Sequence, residues 1–123
     1  MVVSIIIVNY NTGDLLYNCL KSITENLTVD YQVIVADNAS TDNSFSKCCN
    51  ELRHERVLYL PLCCNYGFAK ANNIAAAKAT GEIFHFLNPD TVIDGRLNGD
   101  YLEIMEAPQH VYVNPLVNRD GSM

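Results

Sequence analysis

The chain has 123 residues, enough for one domain with a real core. Hydrophobic residues make up 49% and charged residues 18%, which excludes a disordered chain. The formal charge of −6, with no basic stripe, argues against nucleic acid or any other polyanion bound by phosphate neutralisation.

The elements follow in chain order. "VVSIIIVN", residues 2–9, is β-branched with few polar breaks and reads as a buried central strand. "NTGDLLYNCLKSITENL" predicts a helix. Leu15, Leu16, Cys19, Leu20, Ile23 and Leu27 share its apolar face, and Thr12 or Asn11 serves as N-cap. "YQVIVAD", residues 31–37, is a second buried strand. "STDNSFSKCCNELRHE" predicts a helix with Phe45, Cys48, Cys49 and Leu52 at helical spacing. "RVLYLPL", residues 56–62, is a third strand. "GFAKANNIAAAKATG" is Ala-rich and helical, with Gly81 expected as its C-cap, and "EIFHFLN" is a fourth strand, stopping near Pro89. Beyond it, "RLNGDYLEIMEA" predicts a helix with Leu97, Tyr101, Ile104 and Met105 on one side, and "HVYVNPLVNRDGSM" offers one short strand.

Strands alternating with helices imply an α/β fold with a mostly parallel central sheet, right-handed crossovers and flanking helices. One domain over 1–123 is expected, with its core at about 2–94 and residues 95–123 as a partial C-terminal extension. No apolar stretch is long enough to span a bilayer, and the N-terminus lacks the basic opening of a secretory signal. A cytoplasmic protein is expected, and peripheral contact at the inner face of the membrane stays compatible with that. The cysteines are odd in number (19, 48, 49, 63 and 64), with no CxxC and no histidine at ligand spacing, so all five read as buried apolar side chains.

Parallel sheets bind ligands at the carboxyl ends of their strands. Those ends carry Asn9, Tyr10 and Asn11; Asp37, Asn38 and Ser40; Asn65, Tyr66 and Gly67; Asn88 and Asp90. Each group alone reads equally well as a turn or helix cap. Together they suit a nucleoside diphosphate: a Tyr ring for the base, an amide or carboxylate for its edge, and a carboxylate for a divalent cation. The dinucleotide fingerprint GxGxxG, the P-loop GxxxxGK[ST] and the hydrolase elbow GxSxG are all absent.

The blocks "VSIIIVNYNTGDLLYNCLKSI", "VIVADNASTDNS", "NYGFAKANNIAAAKATGE" and "FLNPDT" resemble, in order, those of family 2 glycosyltransferases with the Rossmann-like GT-A nucleotide-binding fold. "GFAKANN" and "NPD" are similar to the rhamnosyltransferase-like branch. The resemblance covers about residues 3–93 and continues weakly to "VNPLVNRDGSM". It implies metal-dependent, inverting transfer of a sugar, hexosyl or rhamnosyl, from a UDP- or dTDP-linked donor to a glycan or lipid-linked acceptor, as in polysaccharide biosynthesis. Val8, Asn9, Tyr10 and Asn11 would line the nucleotide, with Tyr10 beside the base. Asp37 and Asn38 match the acidic pair that reads the base, the second member here being Asn. Asn65, Gly67, Asn72 and Asn73 match the diphosphate and ribose block, with Asn72 where related enzymes often carry Arg. Asn88, Pro89 and Asp90 match the DxD-type motif, leaving Asp90 as the one protein ligand for Mg²⁺ or Mn²⁺. The family's acceptor half and catalytic base normally lie beyond these blocks. Asp100 and Asp120 sit in no recognisable base motif, so the catalytic residue stays unassigned. The expectation is a donor half, apparently truncated before the acceptor half, with a non-catalytic nucleotide-binding or assembly domain as the alternative. An uncovered acceptor-facing surface further predicts a homo-oligomer.

Overall fold

The computed structural model describes residues 2–106. Four strands, β1 (Val3–Asn9), β2 (Tyr31–Asp37), β3 (Val57–Pro61) and β4 (Ile83–Phe86), alternate with four helices, α1 (Leu15–Asn26), α2 (Ser44–Glu51), α3 (Phe68–Ala76) and α4 (Arg96–Glu106). The sheet order is β3-β2-β1-β4, and every pairing is parallel. This is the expected α/β architecture. The short strand expected in 110–123, the weak continuation of the resemblance and Asp120 lie outside the described residues.

The order explains where the helices go. The chain steps one way from β1 to β2 to β3, then returns past β1 to place β4. With right-handed crossovers, that reversal puts α1 and α2 on one face and α3 on the other. Alternation along the strands does the same for the core. Val3, Ile5, Ile7, Val33 and Val35 pack with Leu16, Cys19, Leu20, Ile23 and Cys48, and with Leu97 and Tyr101 of α4. On the opposite face, Ile6, Ile34 and Ala36 meet Ala75 of α3. All seven residues of β1 are buried, as a strand covered on both faces requires. Among the described residues, only α3 packs on this face, across β1 and β2. Leu58 on β3 and Phe84 and Phe86 on β4 therefore stay exposed.

Several local expectations fail for physical reasons. Neither Thr12 nor Asn11 caps α1; the N-cap is Asp14, with no side-chain capping bond. Thr12 Oγ1 instead donates to Asn9 Oδ1, Asn11 Oδ1 accepts from Thr41 and Asp42 N–H, and Asp14 pairs with Lys47 at 2.9 Å. Gly81 does not cap α3, which ends at Ala76 in tight bonds from Lys78 N to Ala75 O and from Ala79 N to Ala76 O. The glycine is needed for close approach: a Cβ there would lie 2.5 Å from the Val2 carbonyl and 2.9 Å from the Ser4 nitrogen. The cysteines divide. Cys19 and Cys48 are buried and Cys49 is half-buried, but Cys63 and Cys64 are exposed, because the chain leaves an edge strand just before them. No helix among the described residues is long and apolar enough to cross a membrane.

Candidate functional site: a cleft at the carboxyl ends of the strands

The direction of the chain reverses between β1 and β4, and in open parallel sheets such a switch point leaves a crevice outside the strand ends. A cleft of about 390 Å³ opens there, lined by Val8, Tyr10 and Thr12 after β1, Asn38 after β2, Asn65, Gly67 and Phe68 before α3, and Asn88 and Pro89 after β4. Tyr10 and Phe68 are 47% and 62% exposed, so two aromatic rings stand ready to cover a flat ligand.

Beside the cleft, β1 and β2 end in a buried polar network. Register places Asn9 opposite Asp37. Asn9 Nδ2 donates to Asp37 Oδ1 (2.9 Å) and to Ser44 Oγ (3.0 Å). Ser40 donates to Asp37 through its hydroxyl (2.6 Å) and its backbone N–H (3.0 Å). These bonds hold Ala39 at a φ of 58°, a conformation that costs a non-glycine residue and persists only when its surroundings fix it. Asn38 spans to the next wall: its Nδ2 donates to the Gly67 carbonyl at 3.2 Å and its Oδ1 accepts from Tyr66 N–H at 3.2 Å. Gly67 has a φ of 82°, which its lack of a Cβ allows.

The β4 side is built differently. Thr91 N–H closes a turn onto the Asn88 carbonyl (3.1 Å), and the Cys19 thiol lies beneath that carbonyl at 4.0 Å. Burial, with the Asp90 carboxylate nearby, pushes the Cys19 thiol up to about 12, so it stays protonated. Asp90 is exposed and makes no side-chain hydrogen bond among the described residues. Among the described residues, no three His, Cys, Asp or Glu side chains gather there into a metal site. A lone exposed carboxylate fits a Mg²⁺ or Mn²⁺ that keeps its waters and takes further oxygens from a bound diphosphate; it does not fit a resident structural metal.

Of the residues singled out from the sequence, Val8, Tyr10, Asn38, Asn65, Gly67 and Asn88 line the cleft. Asn9 and Asp37 sit in the buried network, and Asn11 clamps the β1 loop to the β2 loop. Asn72 is buried on α3 between Ala71 and Ala75, Asn73 is exposed, and Asp90 stands outside the lining. Thr12 and Phe68 line the cleft without having been singled out. Thr12 was masked by its resemblance to a helix cap, while Phe68 follows Gly67 at once, a signal that would have found it.

A family model described as "Glycosyl transferase family 2" matches residues 4–122. The chain belongs to this family. It is 27% identical over 122 residues to glycosyltransferase GlyG of Streptococcus pneumoniae, covering 98% of the chain and 40% of that protein. It is 30% identical over 124 residues to a GalNAc(5)-diNAcBac-PP-undecaprenol beta-1,3-glucosyltransferase of Campylobacter jejuni, again covering 98% of the chain and 40% of that protein. The chain thus spans about two fifths of these relatives. Among solved structures, TarS residues 1–349 of S. aureus in complex with UDP superposes with a TM-score of 0.72 at 27% identity, over 86% of this chain and 32% of that one. The Pyrobaculum calidifontis mannosyltransferase PcManGT, in complex with GDP-Man and Mn²⁺, superposes at 0.65 with 29% identity, over 72% and 27%. These likenesses agree with the GT-A reading of the sheet.

Proposed function

We propose that this chain is the donor-binding part of a glycosyltransferase that moves a hexosyl or rhamnosyl group, with inversion, from a UDP- or dTDP-sugar to a hydroxyl of a glycan or lipid-linked acceptor. The observation that carries the proposal is the cleft at the switch point, with Tyr10 exposed on one wall and Asn38, Asn65 and Asn88 converging from the others. The base stacks on Tyr10 and is read by Asn38. The diphosphate lies towards Asn65, Gly67 and Asn88, with Asn72 and Asn73 following in the middle of α3. Asp37 and Asn9 act from below by fixing the loop that carries Asn38, while Val8 forms apolar floor and Asn11 locks the β1 loop.

Asp90 would hold a Mg²⁺ or Mn²⁺, which supplies Lewis-acid stabilisation of the leaving diphosphate. The Mn²⁺ complex of PcManGT supports that assignment. The undecaprenol-linked substrate in the name of the Campylobacter relative supports a lipid-linked acceptor, and with it work at the cytoplasmic face of the membrane. Self-association belongs to the same proposal, supported by exposed apolar side chains at both edges of the sheet, Leu58 on β3 and Phe84 and Phe86 on β4. A strict monomer by light scattering at high concentration would remove that part.

A second reading, a nucleotide-binding domain without turnover, is favoured by one observation: among the described residues, no carboxylate lines the cleft. Calorimetry with UDP, dTDP and GDP, with and without Mn²⁺, tests the shared part. Metal-dependent binding of UDP or dTDP, lost in Asp90→Ala, is expected; no metal-dependent binding of any of the three overturns it. Turnover of a sugar nucleotide by the 123-residue chain then rejects the second reading.

A further inference from the structure

Two of the five cysteines have no place in the core. Cys63 and Cys64 are adjacent, exposed, and carried by the loop that leads from β3 into the cleft wall at Asn65, Gly67 and Phe68. The Cys63 sulfur lies 3.0 Å from the Tyr66 hydroxyl. The Lys70 ammonium sits 4.5 Å above the Tyr66 ring. An accessible thiol is thus met by a hydroxyl at hydrogen-bond distance, with a second thiol adjacent in sequence and a cation over the tyrosine ring. Cys19 and Cys48, by contrast, are enclosed in the core and not accessible.

We propose that Cys63, assisted by Tyr66, Lys70 and Cys64, is a site of thiol–disulfide exchange with low-molecular-weight disulfides. The thiolate of Cys63 attacks one sulfur of RS–SR. A Cys63–S–S–R bond forms, the original S–S bond breaks, and RS⁻ leaves and takes up a proton from water, balancing the one Cys63 gave up. Cys63 is oxidised and half of the small disulfide is reduced to RSH, so no further oxidant is needed.

The surroundings favour this sulfur over the others. The hydrogen bond from Tyr66 holds the Cys63 thiol below its ordinary range, with Cys64 and Lys70 acting the same way, while the tyrosine is pushed up to about 12. Cys19 and Cys48, in contrast, are pushed up to about 12, chiefly by burial. The thiolate is the nucleophile, so exposure and thiolate character select the same residue. Cys64 does not readily close a ring with Cys63. Neighbouring Cα atoms lie about 3.8 Å apart across a trans peptide, and disulfides usually need about 4.4–6.8 Å. The mixed disulfide is therefore the resting product, and it sits beside the cleft.

The test is incubation of the folded chain with oxidised glutathione at neutral pH, followed by peptide mapping by mass spectrometry. Cys63→Ser and Cys64→Ser variants assign the adduct within their shared peptide. The expected result is glutathione on Cys63 first, at least about tenfold faster than on Cys19 or Cys48, with Tyr66→Phe slowing the Cys63 reaction about threefold. In urea, wild type and Tyr66→Phe should react alike. First modification at Cys49 or Cys64, or a Cys63 rate that is unchanged by Tyr66→Phe in the folded chain, overturns the proposal. The readout is the adduct itself and does not depend on nucleotide binding.

Discussion

The two sides of the cleft are finished to different degrees. Where β1 and β2 end, Asn9, Asp37, Ser40 and Ser44 bond one another, and little donor or acceptor capacity remains for a ligand. Where β4 ends, Asn88 lines the cleft and Asp90 stands exposed. A site needs both kinds of edge. The saturated one fixes the backbone, so the geometry is paid for during folding, and the open one keeps groups whose bonding changes only when a ligand arrives. A polar residue at a strand end is thus a contact or a brace, and its hydrogen bonds tell which.

The strongest way to break the contrast is Asp37→Ala. It removes three bonds from a buried acceptor, takes one of the partners of the Asn9 amide and should cost about 3 kcal/mol in chemical denaturation. Asp90→Ala should do the reverse. Stability should stay within about 0.5 kcal/mol of wild type, as for an exposed unbonded group. The Mn²⁺-dependent gain in UDP affinity should be lost by about tenfold or more, near 1.4 kcal/mol in calorimetry. Equal destabilisation by both variants would erase the distinction between brace and contact.

Asn38 lies between these extremes, lining the cleft and also tying β2 to the Gly67 turn. Asn38→Ala should lower stability by about 1 kcal/mol and weaken UDP binding as well, each measured separately. The smallest effect lies away from the cleft. His85 bonds Tyr101 at 2.7 Å, and burial lowers its pKa below the usual value of about 6.5. The unfolded chain then takes up this proton more readily than the folded one. Stability should be full above about pH 6.5 and decline as pH falls from there towards the lower folded pKa. His85→Phe should flatten that part of a melting-temperature profile.

Most of the fold was legible in the residues. Val3–Asn9 and Tyr31–Asp37 are β-branched runs buried on both faces, and no other element suits them. The strand ends then marked the cleft, because parallel strands collect their termini on one rim. What stayed hidden depended on partners far along the chain. Thr12 and Asn11 are good cap residues by type, yet tertiary bonds to Asn9 and to the Thr41–Asp42 turn claim them. The bonds from Ser40 and Asn9 to Asp37 likewise depend on partners that the strand end alone does not reveal. The exposure of Cys63 and Cys64 follows from β3 being an edge, and sheet order cannot be read from strand composition.

Gly81 has a consequence for mutational tolerance. It touches the start of β1, at the opposite end of the strands from the cleft, yet even a methyl group there would meet the Val2 carbonyl. In a library of all single substitutions scored by growth or turnover, position 81 would look as intolerant as a residue that touches substrate. Scored by soluble yield, it would separate from Asp90, whose variants should accumulate normally.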